Sequence, residues 1–262
     1  MNLQERVVIV TGASAGIGWS TALALGQVGA HVVVTARRAE RLQQLAEQFA
    51  PFNGRILIIP GNIQEETFCQ QLIKQTVAEF GHVDVLINNA GLGHKSNIAD
   101  MPAQDVQTIW DTNVSGLLYA SQAAIVQMKQ QGHGRIVNVS SIVSERPLPK
   151  SGVYCASKTA VNFLSRSLRM ELRPYNIDIT LVYPGRTITE FGDVLLGEPG
   201  SNPSSLGRVN ADRVAHKMVR GIKNGRSEIY ITWSDWLFVQ LNRHFPRLTD
   251  WLVAFAYRRF QK

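Results

Sequence analysis

Cysteine is nearly absent. Cys69 and Cys155 are the only two in 262 residues, far apart and in no CxxC or metal-ligand spacing, which argues against a disulfide framework and against a zinc site. Together they fit a reducing, cytoplasmic compartment. Long apolar runs are also missing: nothing reaches the roughly 18 apolar residues of a spanning helix, and Met1 to Arg6 lacks the charged start and apolar stretch of a secretory signal. No internal repeat occurs. Acid is scarcer than base, with 20 Asp and Glu against 27 Lys and Arg and a net charge of +7. That excess admits an anionic ligand, a nucleic acid or a membrane surface without choosing among them. No helix-turn-helix, finger or aromatic RNA motif accompanies it, so nucleic acid is not an expected partner.

What is present is apolar material in quantity, 45% of the chain, enough for one domain with a large core. Through residue 185, short β-branched runs alternate with longer helical patterns, the rhythm of βαβ units around a parallel sheet. Strands are predicted at Arg6–Thr11, His31–Thr35, Arg55–Ile59, Val83–Asn88, Arg135–Val139 and Ile177–Val182, with a seventh at Glu228–Thr232. Helices are predicted at Ile17–Val28, Glu40–Phe49, Glu65–Phe80, Ala103–Gln130, Val153–Leu172 and Ala211–Lys223. The expected fold is α/β and doubly wound, and ligands of such sheets sit at the carboxyl ends of the strands.

The first strand ends in Thr11-Gly12-Ala13-Ser14-Ala15-Gly16-Ile17-Gly18 and runs into a helix. Glycines there permit a tight turn and close backbone approach, so that amides and the positive helix end can hold a pyrophosphate. The second strand should end near the adenosine ribose, where an acid commonly holds the 2′-hydroxyl of NAD. Here the acid is missing, and Arg37 and Arg38 follow Thr35-Ala36. Guanidinium groups suit a 2′-phosphate, which favours NADP(H) over NAD(H).

Tyr154 and Lys158 stand four residues apart on one face of a predicted helix. A nearby cation favours tyrosinate and makes the phenol usable as an acid/base. Ser141 closes the fifth strand, Asn113 lies in the preceding helical region, and Asn88-Asn89-Ala90-Gly91 closes the fourth. Singly, each has an ordinary structural explanation as a surface pair, a turn cap or a local backbone partner. Their joint occurrence at successive strand ends points to one site.

In the order TGASAGIG, NNAG, Asn113, Ser141, YCASK and Tyr183-Pro184-Gly185, the sequence from Glu5 to Asn224 resembles the short-chain dehydrogenase/reductase family. The resemblance implies a seven-stranded Rossmann sheet and a catalytic tetrad of Asn113, Ser141, Tyr154 and Lys158. Tyr154 would exchange a proton with the carbonyl or alcohol oxygen, and Ser141 would hydrogen-bond that oxygen. Lys158 would hold the nicotinamide ribose and depress the tyrosine pKa, and Asn113 would fix a water. Cofactor contacts carried over are Gly12, Ser14, Gly16, Ile17, Gly18, Asn89, Ala90, Gly91, Pro184, Gly185, Thr187 and Thr189. Ser14 and Arg37 would meet the 2′-phosphate, with Arg38 as a third. Asn62-Ile63 stands where the family often has Asp-Val near the adenine. A homodimer or homotetramer built on the helices around 103–130 and 153–172 is implied as well.

Two regions leave the rhythm. Residues 190–210 carry Gly192, Gly197, Pro199, Gly200, Pro203 and Gly207, punctuation that breaks a long helix, and are expected to form a substrate lid. Their Phe191, Val194, Leu195, Leu196 and Leu206 favour an apolar substrate. Residues 1–232 form the expected catalytic domain, and 233–262 an amphipathic basic tail. In the tail Leu237, Phe238, Leu241 and Phe245 keep helical spacing, Pro246 interrupts, and Leu248, Trp251, Leu252 and Phe255 resume it. Such a stripe packs on the domain, on a partner subunit, or on a membrane surface. The expected activity is NADP(H)-dependent hydride transfer at a carbonyl or alcohol; the alternative is a catalytically silent NADP(H)-binding sensor or scaffold.

Overall fold

The computed structural model describes residues 1–192, 195–197 and 209–259. Of the expected lid, 193–194 and 198–208 lie outside the described residues, as do 260–262 of the tail.

Seven parallel strands form one sheet: β1 (Val7–Thr11), β2 (His31–Thr35), β3 (Ile56–Ile58), β4 (Val85–Asn88), β5 (Gly134–Val139), β6 (Ile177–Tyr183) and β7 (Glu228–Tyr230). Their spatial order is β7-β6-β5-β4-β1-β2-β3, the doubly wound order with its reversal beside β1. The helices are α1 (Gly16–Gly26), α2 (Ala39–Phe49), α3 (Glu66–Phe80), α4 (Ala103–Trp110), α5 (Gly116–Gln131), α6 (Gly152–Leu172), α7 (Ala211–Lys223), α8 (Trp233–His244) and α9 (Pro246–Arg259).

Helices on both sheet faces explain why the strands read as continuous apolar runs. Alternate residues still divide between two cores, since successive side chains point to opposite faces. Val8, Val10, Val32, Val34, Val85, Ile87 and Val137 pack with Leu25, Leu42, Leu45 and Met218 from α1, α2 and α7. Val7, Ile9, Val33, Leu86 and Ile136 pack with Leu72, Ile73, Ala124 and Met128 from α3 and α5.

One helix differs from expectation. The stretch predicted as continuous from Ala103 to Gln130 is divided by a π-helical turn, Asp111–Ser115, between α4 and α5. A π turn inserts a residue into the 3.6-residue register and re-aims the side chains on it; Asn113 is one of them.

A buried carboxylate ties down the sheet's amino-terminal edge. Asp84 accepts from the Val7 backbone N–H at 2.9 Å and from Arg6 Nη1 at 2.8 Å, with the His82 ring 3.0 Å away. Replacing Asp84 with alanine orphans a buried amide, so urea unfolding should show a loss of about 2 kcal/mol. An unchanged midpoint would mean the contact carries no net stability.

Candidate active site

The first strand-to-helix turn is held against the end of β4 by backbone and small side chains. Thr11 Oγ1 accepts from the backbone N–H groups of Asn89 and Ala90, each at 3.1 Å. Asn89 Nδ2 returns hydrogen bonds to Thr11 O at 3.0 Å and Gly12 O at 3.2 Å. Gly12 has φ +66°, and a Cβ on it would lie 2.7 Å from Ala90 Cα. A side chain at Gly18 would run into Gly12 O and come within 2.5 Å of Asn89 Nδ2. At the outer lip of the turn a Cβ on Gly16 would stand 2.9 Å from Thr189 Cγ2.

Helix α1 starts behind this turn with Ala15 as N-cap, no side-chain cap and no acid in its first turn. Its first N–H groups therefore remain available to an anion. Ile17 packs into the core behind the turn. Turn, helix end and glycines together fit a dinucleotide pyrophosphate.

Of the two arginines that follow β2, the structure brings one to the turn. Arg37 is exposed, and it is Arg38 that reaches Ser14, with Nε and Nη2 3.2 and 3.1 Å from Ser14 Oγ. At the end of β3, Asn62 Oδ1 accepts from Gln64 N at 3.2 Å, and Ile63 is buried against Gly116.

The chemical end is assembled from β5, the π turn and α6. Ser141 Oγ donates to Pro184 O at 3.3 Å and accepts from Val143 N at 3.4 Å, close enough to the Tyr154 phenol to lower its pKa. Lys158, one turn along α6 and 5% exposed, donates from Nζ to Val139 O at 2.9 Å. That bond uses one of three ammonium N–H groups. Asn113 grips the segment after β4: its Oδ1 accepts from Leu92 N at 2.7 Å, and its Nδ2 donates to Leu92 O at 2.9 Å and Ser157 Oγ at 3.0 Å. Gly91 lies between the two, since a Cβ there would be 3.2 Å from Asn113 Oδ1 and 3.3 Å from Lys158 Nζ. All four tetrad residues thus gather around the carboxyl ends of β4 and β5.

Burial dominates their electrostatics. Burial pushes the Tyr154 phenol up to about 12, against a smaller lowering by the Ser141 hydrogen bond. Burial also brings Lys158 down to about 8. Desolvation disfavours both charged forms.

After β6, Thr187 Oγ1 donates to Gly185 O at 3.1 Å. Gly185 abuts the Asp235 carboxylate at the start of α8. His94 and Glu145, on the segments that follow β4 and β5, have partners of their own. His94 Nε2 lies 3.0 Å from Asp105 Oδ2, while Glu145 accepts from Arg166 at 2.9 Å and from Asn162 at 3.0 Å. Sequence reasoning passed over Thr11, whose hydroxyl joins β1 to β4. It counted Phe191 only among the apolar lid residues, whereas the Phe191 ring centre lies 5.8 Å from that of Tyr154.

A parallel sheet with a glycine turn at its switch point, and a Ser, Tyr and Lys cluster beside it, defines a nucleotide-binding α/β enzyme fold. The family model for short chain dehydrogenases matches residues 6–196. Over the full chain, 34% of positions are identical to "11-beta-hydroxysteroid dehydrogenase-like 3" of Arabidopsis thaliana, of which 84% is covered. An uncharacterised oxidoreductase of Thermotoga maritima is 35% identical over 83% of this chain and 85% of its own. Among solved structures, a short-chain dehydrogenase/reductase from Burkholderia phymatum in complex with NAD superposes with a TM-score of 0.86, at 22% identity over 95% of this chain and 96% of its own. The alcohol dehydrogenase of Thermococcus sibiricus complexed with 5-hydroxy-NADP gives 0.77, at 26% identity over 86% and 95%. The chain belongs to the short-chain dehydrogenase family and is an oxidoreductase whose fold binds a nicotinamide cofactor.

The glycine turn supplies a direct check. Gly12→Ala must push Ala90 away or strain its own backbone, at roughly 1–3 kcal/mol. Isothermal titration should show nicotinamide dinucleotide affinity falling by at least about tenfold; full affinity would show that the close approach is not needed for the cradle.

Proposed function

We propose that the protein is an NADP(H)-dependent oxidoreductase acting on an apolar carbonyl or alcohol, with Tyr154 as general acid/base. The observation that carries this reading is the convergence of Ser141, a half-buried Tyr154 and a nearly buried Lys158 at the carboxyl ends of β4 and β5, with Asn113 beside them. When bound, the nicotinamide supplies or accepts the hydride. Tyr154 gives its proton to the carbonyl oxygen in reduction and takes it back in oxidation. Ser141 Oγ hydrogen-bonds the same oxygen and fixes its position. Lys158, anchored on Val139 O, directs its remaining N–H groups to the nicotinamide ribose. Asn113 holds Leu92 and so sets the floor between lysine and cofactor. Gly12, Gly16, Ile17, Gly18, Asn89, Ala90 and Gly91 form the pyrophosphate wall. Pro184, Gly185, Thr187 and Thr189 line the nicotinamide side, and Asn62 and Ile63 the adenine.

Phe191 beside Tyr154, with Leu195 against Gly93, gives the substrate an apolar wall. The arginine contact with Ser14 supports a 2′-phosphate at that end. Against a silent nucleotide-binding scaffold stands the complete tetrad, which such a protein has no chemical need to keep.

Tyr154→Phe should lower the rate of NADPH-dependent carbonyl reduction by about 10²- to 10⁴-fold while leaving NADPH binding intact. For the parent enzyme, reduction should weaken as pH rises through about 8, where Lys158 loses its proton, with Tyr154 still protonated. Substantial turnover by Tyr154→Phe would remove Tyr154 as the proton donor.

The tail supports a second, separate reading. It is docked on the domain: Val239 and Thr249 are buried, Asn242 Nδ2 donates to Glu145 O at 2.5 Å, and Arg146 pairs with Asp250. Yet Trp233, Trp236, Leu241, Phe245, Leu248, Trp251, Leu252 and Phe255 stay exposed. Three of the chain's five tryptophans lie there, and Arg243, Arg247, Arg258, Arg259 and Lys262 outnumber Asp235 and Asp250. Exposed aromatic residues in a segment whose sequence is rich in arginine suit an anionic lipid interface, and we assign that partner. No described helix is long and apolar enough to cross a membrane, so the contact would be peripheral. Exposed Val126 on α5 and Phe163 and Met170 on α6 are the surface for a second copy of the chain.

Flotation with anionic phospholipid vesicles should carry the full chain upward and leave Trp251→Ser/Phe255→Ser behind. If the parent stays down and that double variant instead changes the sedimentation mass, the face belongs to a subunit contact.

A further inference from the structure

The second strand ends without an acid, yet the folded chain delivers a carboxylate to that place. Glu190, remote in sequence, lies between two guanidinium groups: its Oε2 accepts from Arg38 Nη1 at 3.2 Å and its Oε1 from Arg41 Nη2 at 2.6 Å. Arg38 is at the same time bonded to Ser14 Oγ. Glu190 follows Thr189, the residue that packs against Gly16 of the phosphate turn, so its backbone is seated at the rim of the nucleotide cradle.

Arg38, Arg41 and Ser14 therefore converge as an anion site, with one carboxylate oxygen on each arginine. All three charged side chains are between 41% and 46% exposed, and ion pairs of that exposure are weak and readily exchanged. A phosphomonoester carries more charge than a carboxylate and offers three acceptor oxygens, so it can outbid Glu190 for the two arginines.

We propose that Glu190 is an internal competitor for the adenosine 2′-phosphate subsite, and that Arg41 with Arg38 and Ser14 forms that subsite. The inference rests on the NADP(H) reading above. With NADP(H), the phosphate replaces the carboxylate on Arg38 and Arg41. With NAD(H), which has no phosphate, Glu190 keeps both arginines neutralised and its carboxylate faces the 2′-hydroxyl as an acceptor, supplying the acid that β2 lacks. Glu190 thus limits how strongly the enzyme prefers the phosphorylated cofactor. The sequence signal was faint: Arg41 stands one turn after Arg38, but nothing local points to residue 190.

Calorimetric titration of the full chain with 2′,5′-ADP and with 5′-AMP tests this without turnover. Glu190→Gln should bind 2′,5′-ADP roughly fivefold more tightly, about 1 kcal/mol at 1.4 kcal/mol per decade, with 5′-AMP unchanged or weaker. Arg41→Ala should weaken 2′,5′-ADP by about tenfold and leave 5′-AMP alone, and the gain in Glu190→Gln should shrink as salt screens the charges. Thermal unfolding confirms that these half-exposed substitutions leave the fold intact. If the parent prefers 2′,5′-ADP but Glu190→Gln binds it no better, the competition is refuted and the cofactor reading survives. If the parent binds both ligands equally and Arg38→Ala changes neither, the NADP(H) reading itself fails and this inference falls with it.

Discussion

The close approach of Gly12 to Ala90 is the constraint on which the site depends. The ends of β1 and β4 meet with no side chain between them, and the Thr11 hydroxyl satisfies two amides that the sheet ladder no longer reaches. Buried backbone groups of this kind are costly to orphan, so the small residues and the hydroxyl are needed together. Once the two strand ends are clasped, the glycine turn faces outward as a cradle. The segment from Gly91 then runs over Asn113 and Lys158, which couples phosphate binding to the chemical end through about four residues of backbone.

Behind that segment the polar groups close on one another. Asn88 Nδ2 donates to Asn138 Oδ1 and Ser121 Oγ, each at 2.9 Å, and Asn138 Nδ2 donates to Ser165 Oγ at 2.8 Å. Strands β4 and β5 are thereby joined to α5 and α6 inside the core, and a network with its members satisfied fixes one arrangement where apolar packing alone tolerates several. Ser140 Oγ continues it by donating to Asn162 Oδ1 at 2.6 Å, and Asn162 reaches Glu145, the anchor of the tail. Helix α6, which carries Tyr154 and Lys158, is thus held by hydrogen bonds from beneath and through Glu145, on which Asn242 and Arg243 of the tail also converge.

Most of the fold was legible because strand and helix periods differ and Gly, Asn and Ser punctuate each strand end. Boundaries fell within a residue or two; Arg6 and Thr232, for example, lie just outside their strands. The π turn at Asp111–Ser115 was not legible, since one inserted residue leaves the apolar pattern of 103–130 looking continuous. The tetrad could be read because its order along the chain follows the order of strand ends. Which arginine meets Ser14 could not be: Arg37 and Arg38 are equivalent in composition, and the choice is made by α2 beginning at Ala39. Glu190 and Phe191 were hidden for another reason. Their contacts with Arg38 and Tyr154 join chain segments whose proximity is set by the whole sheet. Helical spacing exposed the tail's apolar stripe, but spacing cannot tell that Val239 is buried while Trp251 is not.

The Tyr154 and Lys158 pair shows one physical cause acting in opposite senses on an acid and a base. Enclosure raises the phenol and lowers the ammonium, so a tyrosinate and ammonium couple is disfavoured twice before their mutual attraction is counted. The resting state is then a neutral phenol, already a proton donor, beside a cation that can still be discharged near neutrality. In the proposed reaction, reduction of a carbonyl would start from that state without a prior proton loss. The reverse, oxidation of an alcohol, would need the phenol to give up its proton first, against burial. Any group that brings positive charge or hydrogen-bond donors next to the phenol lowers that cost.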